Sequence, residues 1–312
     1  MNLRNHTAPV RTTAAAPLIF SLIAAMLLAL STGAGVETGE ETISFIATHR
    51  SMQPGEVVLV EASSPVPLRS LSVTAFGREF PAFTEKDGLT WTALLGIDLA
   101  LKPGTYEMTL KGVDGGGKTI QKNKTIIVSS KEFLTRELSV EPKYVAPPAK
   151  VLNRIAEERK RVDGIFASIT PSKNWSGPFV YPVESKVTSP FGSRSVFNGV
   201  PRNPHTGIDL RGAIGTPIAA PNAGRIVLVA DLYYSGNTVI IDHGFGLYSY
   251  LSHLSEFAVE EGDVVKKGSL VGKVGATGRV TGPHLHWTVR LAGTLVDPLS
   301  LISVLESSAA RP

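Results

Sequence analysis

Two histidines stand two residues apart in Gly282-Pro283-His284-Leu285-His286-Trp287. In a β-strand, residues i and i+2 project from one face. His284 and His286 are therefore expected side by side at the start of the apolar run Leu285 to Leu291. Gly-Pro sets a turn before them. Such a pair suits two metal ligands, or one ligand beside one proton carrier. Two strand histidines that have no role would show the same spacing, so partners elsewhere must decide. Upstream, His205-Thr206-Gly207-Ile208-Asp209 places an imidazole and a carboxylate four residues apart at the start of another strand. One carboxylate and two imidazoles make a usual zinc set with an open fourth position.

The chain holds no cysteine, so disulfides, thiolate zinc sites and lipidation of a cysteine are excluded. Any metal must be held by His, Asp or Glu. A formal charge of +4 over 312 residues is too mild to point to nucleic acid. With 43% hydrophobic residues the chain can bury real cores, and 30 Gly and 21 Pro favour short strands joined by turns.

The elements that would position these residues follow from patterning. Arg4 and Arg11 precede an apolar run from Ala14 to Leu30, and Ser31-Thr32-Gly33-Ala34-Gly35 follows. This is the pattern of a secretory signal, with Thr32-x-Ala34 as a cleavage site, or of an N-terminal membrane anchor through residues 14–30. Either reading of residues 1–34 exports the remainder. From residue 40 to 130, six or seven short apolar segments alternate with turn residues, which predicts an immunoglobulin-like β-sandwich. His49 stands alone there and is read as a surface residue. Residues 131–176 read as a linker with one amphipathic helix. Leu152, Ile155, Val162, Ile165, Phe166 and Ile169 share a face, and Glu157 and Arg161 are spaced as an i,i+4 pair. Residues 177–303 predict a mostly antiparallel β domain with no further helix, followed by a tail at 304–312. The fold class expected is all-β with two separately folded domains.

Five of the seven histidines fall in that last domain: His205, His243, His253, His284 and His286. The blocks His205-Thr206-Gly207-Ile208-Asp209, Tyr250-Leu251-Ser252-His253-Leu254 and Thr281-Gly282-Pro283-His284-Leu285-His286 resemble the signature blocks of the lysostaphin-type (LytM-type) zinc metallopeptidases. Ser189-Pro190-Phe191-Gly192-Ser193-Arg194 and Gly262 to Gly268 resemble that family's flanking pieces. The resemblance runs from about residue 181 to 301 and leaves the sandwich uncovered. Val280 stands where the family often has Ser, and Trp287 where it often has Phe; neither is at a ligand position. The resemblance implies a duplicated-hybrid-motif β fold. It also implies one zinc ion held by His205, Asp209 and His286, and catalytic roles for His253 and His284. The activity implied is hydrolysis of peptide cross-links in bacterial peptidoglycan, in the periplasm or cell envelope. The alternative is a non-catalytic, wall-binding or hydrolase-activating member. His243 is read as structural, and Arg194 and Arg279 as solvated, with contact to a peptide carboxylate as the other reading for the two arginines.

Overall fold

The computed structural model of the chain describes residues 42–84, 87–138, 147–197 and 199–310. The run 14–30, read as an export signal or anchor, lies outside the described residues. Among the described residues no helix is long and apolar enough to cross a membrane.

The first seven strands are β1 (Ser44–His49), β2 (Val57–Ser63), β3 (Leu68–Ala75), β4 (Arg78–Phe83), β5 (Thr90–Gly96), β6 (Gly104–Asp114) and β7 (Thr119–Val128). They pair antiparallel in the order β1-β2-β5-β4-β3-β6-β7. Side chains from both arms, among them Val58, Val60, Leu95, Val73, Phe80 and Leu110, meet in one apolar cluster. The opposite side of β2 and β5 is also buried. Val57, Leu59 and Leu94 belong to the core of the C-terminal half, with Phe83 from β4. This explains why β2 begins with an unbroken apolar run, Val57-Val58-Leu59-Val60, where a half-exposed strand would alternate. The described residues accordingly form one compact unit. The two expected domains are two strand sets that share the β2–β5 layer.

The stretch read as a linker is not structureless. Its strand β8 (Thr135–Leu138) pairs in parallel with β10 (Arg194–Phe197). Helix α1 (Leu152–Ala167) follows Pro147-Pro148. Val162, Ile165 and Phe166 pack on Leu228, Leu232, Ile240 and Tyr248. Leu152 and Ile169, expected on the same apolar face, are about half exposed. The expected Glu157–Arg161 pair does not form. Arg161 reaches Glu261 instead, and the helix carries the pairs Arg154–Glu158 and Arg159–Asp163. A tertiary partner outbids an i,i+4 pair worth only ~0.2–0.5 kcal/mol.

The C-terminal half adds β9 (Val187–Ser189), β11 (Val200–Pro201), β12 (Ile208–Arg211), β13 (Pro217–Ala219), β14 (Gly224–Leu232), β15 (Gly236–Gly244) and β16 (Leu247–Phe257). It continues with β17 (Val264–Val265), β18 (Leu270–Val274), β19 (His284–Leu291) and β20 (Thr294–Val296). The sheet runs β17-β14-β15-β16-β19-β12-β9, with β18 joining β13 to β16 and β20 on β19. One expectation fails here. Residues 298–309 are a helix, α2 (Pro298–Ala309), where sequence reading placed no helix and a tail from 304. Asp297 caps it, accepting from the Leu299 N–H, and Pro298 opens it. Leu301, Ile302, Val304 and Leu305 are buried, so this end of the chain is core.

Candidate metal centre

The site lies on the middle of the C-terminal sheet, where β16, β19 and β12 run side by side. Register brings its groups together. Asp209 stands directly opposite His286, and Ser252 opposite His286 on the other flank. Directly paired residues share a face, so Ser252, His286 and Asp209 form a row across three strands. His284 lies two residues back on β19, opposite Arg211, on that face.

His205 arrives from a loop. Its N–H donates to Ser193 O, and its own carbonyl accepts from the Gly192 N–H. Its Nδ1 lies 3.1 Å from Pro190 O. A carbonyl only accepts, so Nδ1 carries the proton and a neutral His205 has its lone pair on Nε2. That Nε2 is 3.0 Å from Asp209 Oδ1 and 2.9 Å from His286 Nδ1, and His286 Nδ1 is 2.9 Å from Asp209 Oδ1. On the far side of His286, Nε2 meets Thr288 Oγ1 at 2.8 Å. Three ligand atoms thus converge on one point, with the outer nitrogens of both imidazoles held by neighbouring oxygens. A four-coordinate zinc with bonds of about 2.0–2.2 Å spaces its ligands by about 3.3–3.6 Å. The observed triangle needs only a small opening to hold such an ion, and its N,N,O donor set fits it.

Charge follows the same geometry. Burial pulls the Asp209 carboxyl upward, but hydrogen bonds and charge from His205 and His286 win and hold it far below its usual range. Burial depresses His205, yet the hydrogen bond and charge of Asp209 raise it overall. Burial dominates at His286 and lowers it, with the Asp209 hydrogen bond opposing.

His253 reaches the site by a local irregularity. The β15–β16 register slips between Asn237–Leu254 and Val239–Leu251, so Ser252 and His253 together oppose Thr238. His253 has φ +68°, in the left-handed region that non-glycine residues seldom adopt. Strict alternation would send its side chain away from the Ser252–His286 row. The bulge instead brings its ring to 4.9 Å from His284 and 6.0 Å from His286. Its Nδ1 lies 3.0 Å from Thr277 O, and His284 Nδ1 lies 2.9 Å from Gly282 O. Both rings thus keep an Nε2 lone pair, and that of His284 is 3.6 Å from Asp209 Oδ1. Burial, reinforced by His286 and His284, pushes His253 down to about 4.

The remaining expectations sort as follows. His243 is fully buried, bonded to Ala223 O and Ser249 Oγ, and pushed down to about 4 by burial, a structural residue. His49, on the far sheet, is exposed. Arg279 lies in the loop whose Thr277 O and Gly282 O hold His253 and His284, its guanidinium 4.4 Å over the Tyr234 ring. Sequence reading missed Thr288 and Pro190, whose oxygens hold the two imidazoles. The signal for Thr288 was present, since it lies two residues beyond His286 on the same strand face.

Comparison with known proteins agrees with this geometry. Residues 203–298 match the model of Peptidase family M23. Peptidoglycan DD-endopeptidase ShyA of Vibrio cholerae is 37% identical over 134 residues, 42% of this chain and 31% of that protein. DD-carboxypeptidase/endopeptidase Mpg of Neisseria meningitidis is 40% identical over 124 residues, 40% of this chain and 28% of that protein. The matched stretch thus spans about three tenths of the length of these curated relatives. A solved Pseudomonas aeruginosa structure described as a peptidase M23 aligns over 82% of this chain and 96% of its own, at 31% identity and a TM-score of 0.62. With a relative of that identity matched over nearly its whole length, and with the family's stretch coinciding with the His-Asp-His triangle, this chain belongs to peptidase family M23.

Proposed function

We propose that this chain is an exported zinc-dependent endopeptidase that hydrolyses peptide cross-links in bacterial peptidoglycan. The observation that carries the reading is the convergence of His205 Nε2, Asp209 Oδ1 and His286 Nδ1 on one point, each imidazole braced from behind. The relatives' descriptions as peptidoglycan endopeptidases support the substrate class.

In this reading His205, Asp209 and His286 hold the ion. When bound, zinc supplies Lewis acidity toward a carbonyl and a water acidified to a pKa of about 7. The chain's own residues do the rest. His253 and His284, each with its proton fixed on Nδ1, present a lone pair at Nε2 beside the triangle. One takes a proton from the attacking water and delivers it toward the leaving amine. The other, having taken up a proton from solvent at Nε2, donates that N–H to the developing oxyanion. Residues 1–34 serve as export signal or anchor, and β1–β7 as an immunoglobulin-like module that holds the catalytic half in place.

The test is to load the exported protein with zinc, digest purified sacculi and identify the released fragments by mass spectrometry. Peptide-bond cleavage is expected, with stoichiometric zinc. Asp209→Ala should lose both metal and cleavage. A protein that binds zinc and sacculi but releases nothing would be the non-catalytic member of the family, and the reading would fall.

A further inference from the structure

Arg279 is a positive charge in the loop that anchors His253 and His284, and among the described residues no carboxylate acts on it. Its loop is rigid. The Arg279 N–H donates to Tyr234 O at 2.8 Å, Thr277 Oγ1 donates to Leu254 O, and the Asn237 N–H donates to Thr277 Oγ1. Gly236 and Gly278 approach too closely for a β-carbon on either. The same loop supplies both carbonyls that hold the histidines: Thr277 O for His253 and Gly282 O for His284. Arg279 is therefore two residues from one anchor and three from the other. Its guanidinium lies 4.4 Å over the Tyr234 ring, within cation–π range, and Tyr234 in turn meets Tyr233 edge-on at 5.0 Å. Helix α1 holds that turn from behind, with Glu158 accepting from the Tyr233 N–H and Arg154 donating to Asp231 O.

The side chain itself is exposed. Among the described residues, the groups acting on its charge are Tyr234, Tyr233 and a second cation, Arg202, three residues before His205. Partial burial and then Arg202 make its charge less favourable. A fixed, accessible guanidinium facing a like charge gains most when an anion arrives. In a peptidase the anion that comes with the substrate is a carboxylate.

We propose that Arg279, braced on Tyr234, binds a free carboxylate of the peptide substrate next to the scissile bond. The planar fork of Arg279 pairs with both carboxylate oxygens, which a lysine ammonium does not match. Arg279 thereby selects peptides that carry a carboxylate at that position over amidated ones. The proposal rests on the peptidase reading above and adds the recognition element to it.

The experiment uses two synthetic cross-linked peptides, identical except that one ends in a free carboxylate and the other in a carboxamide. Binding is measured by calorimetry and cleavage by chromatography, on the zinc-loaded exported protein. We expect the carboxylate peptide to bind about 10–100-fold more tightly, as for hydrogen bonds to a charged group. Arg279→Gln should shrink that ratio to within about threefold, mainly through KM. Arg279→Lys should fall between, and zinc content should match the wild type in both. Equal binding of the two peptides by the wild type, or a preference that survives Arg279→Gln, overturns the proposal. A carboxylate preference in binding without cleavage of either peptide would overturn the peptidase reading and leave the Arg279 subsite standing. Cleavage of both peptides at equal affinity would do the reverse.

Discussion

The ring of Phe133 occupies the space that a β-carbon on Gly192 would take. Gly192 has φ +76° and its N–H donates to His205 O, while Pro190 O, two residues earlier, accepts from His205 Nδ1. Next to it, the Phe191 ring lies against Gly55 of the N-terminal strand set. The turn that orients one proposed metal ligand is thus clamped by the segment before β8 and by the first strand set. Phe133→Ala removes one jaw. Phe133 is half-buried, so the loss should be about 2 kcal/mol, below the ~3–5 of a fully buried ring. Denaturant unfolding should show that loss, and competition with a chelator should show faster zinc release. Wild-type zinc retention in Phe133→Ala would separate the clamp from the site.

Thr288 is expected to fix the tautomer of His286. Its hydroxyl meets His286 Nε2 at 2.8 Å, and Gly207 leaves it room, because a β-carbon there would come within 2.8 Å of Thr288 Oγ1. Removing such a support typically costs about 10–100-fold in metal affinity. Thr288→Val should weaken zinc binding by that factor, and Thr288→Ser should restore most of it. Equal affinities for Val and Ser variants would deny the hydroxyl a role.

His253 should trade stability for activity. Its left-handed backbone is one that glycine adopts without strain. His253→Gly should therefore be more stable than His253→Ala by about 1 kcal/mol. Both should keep zinc and lose turnover by about 10²–10⁴-fold. Calorimetric melting and sacculus digestion decide it, and a fully active His253→Gly would remove the residue from the chemistry.

Acid should weaken the tie between the two strand sets. Glu56 is buried and bonded to Arg50 through both oxygens and to Lys131, while Arg50 also reaches Asp297 at the start of α2. Burial pulls the Glu56 carboxyl up, but Arg50 and Lys131 win and hold it below its ordinary 4.5. A carboxyl depressed in the folded state stabilises above that ordinary value and loses its contribution as pH falls through the folded one. Glu56→Gln should cost about 1–3 kcal/mol at pH 7, with the gap narrowing below pH of about 4.5. A gap that is constant with pH would mean the charge of Glu56 does not matter.

Spacing alone made the site partly legible. His284-x-His286 shares a strand face by period, and His205-x-x-x-Asp209 flags a ligand pair before a strand. What period cannot supply is register. Asp209 meets His286 only because β12 and β19 pair at that offset, a matter of long-range hydrogen bonding between residues far apart in the chain. His253 is the sharper case. Alternation aims it away from the other histidines, and only a bulge, whose extra residue is not written in the period, turns it back. Helix α2 was readable, since Asp297-Pro298 is a cap and first-turn signal. The shared β2–β5 layer was only hinted at by Val57 to Val60, because an apolar run states that both faces are buried and leaves open what covers them. The sequence by itself determined which groups are available for chemistry and which segments must be buried. Tertiary structure decided which strand lies beside which, because pairing and packing energies depend on partners that no local pattern names.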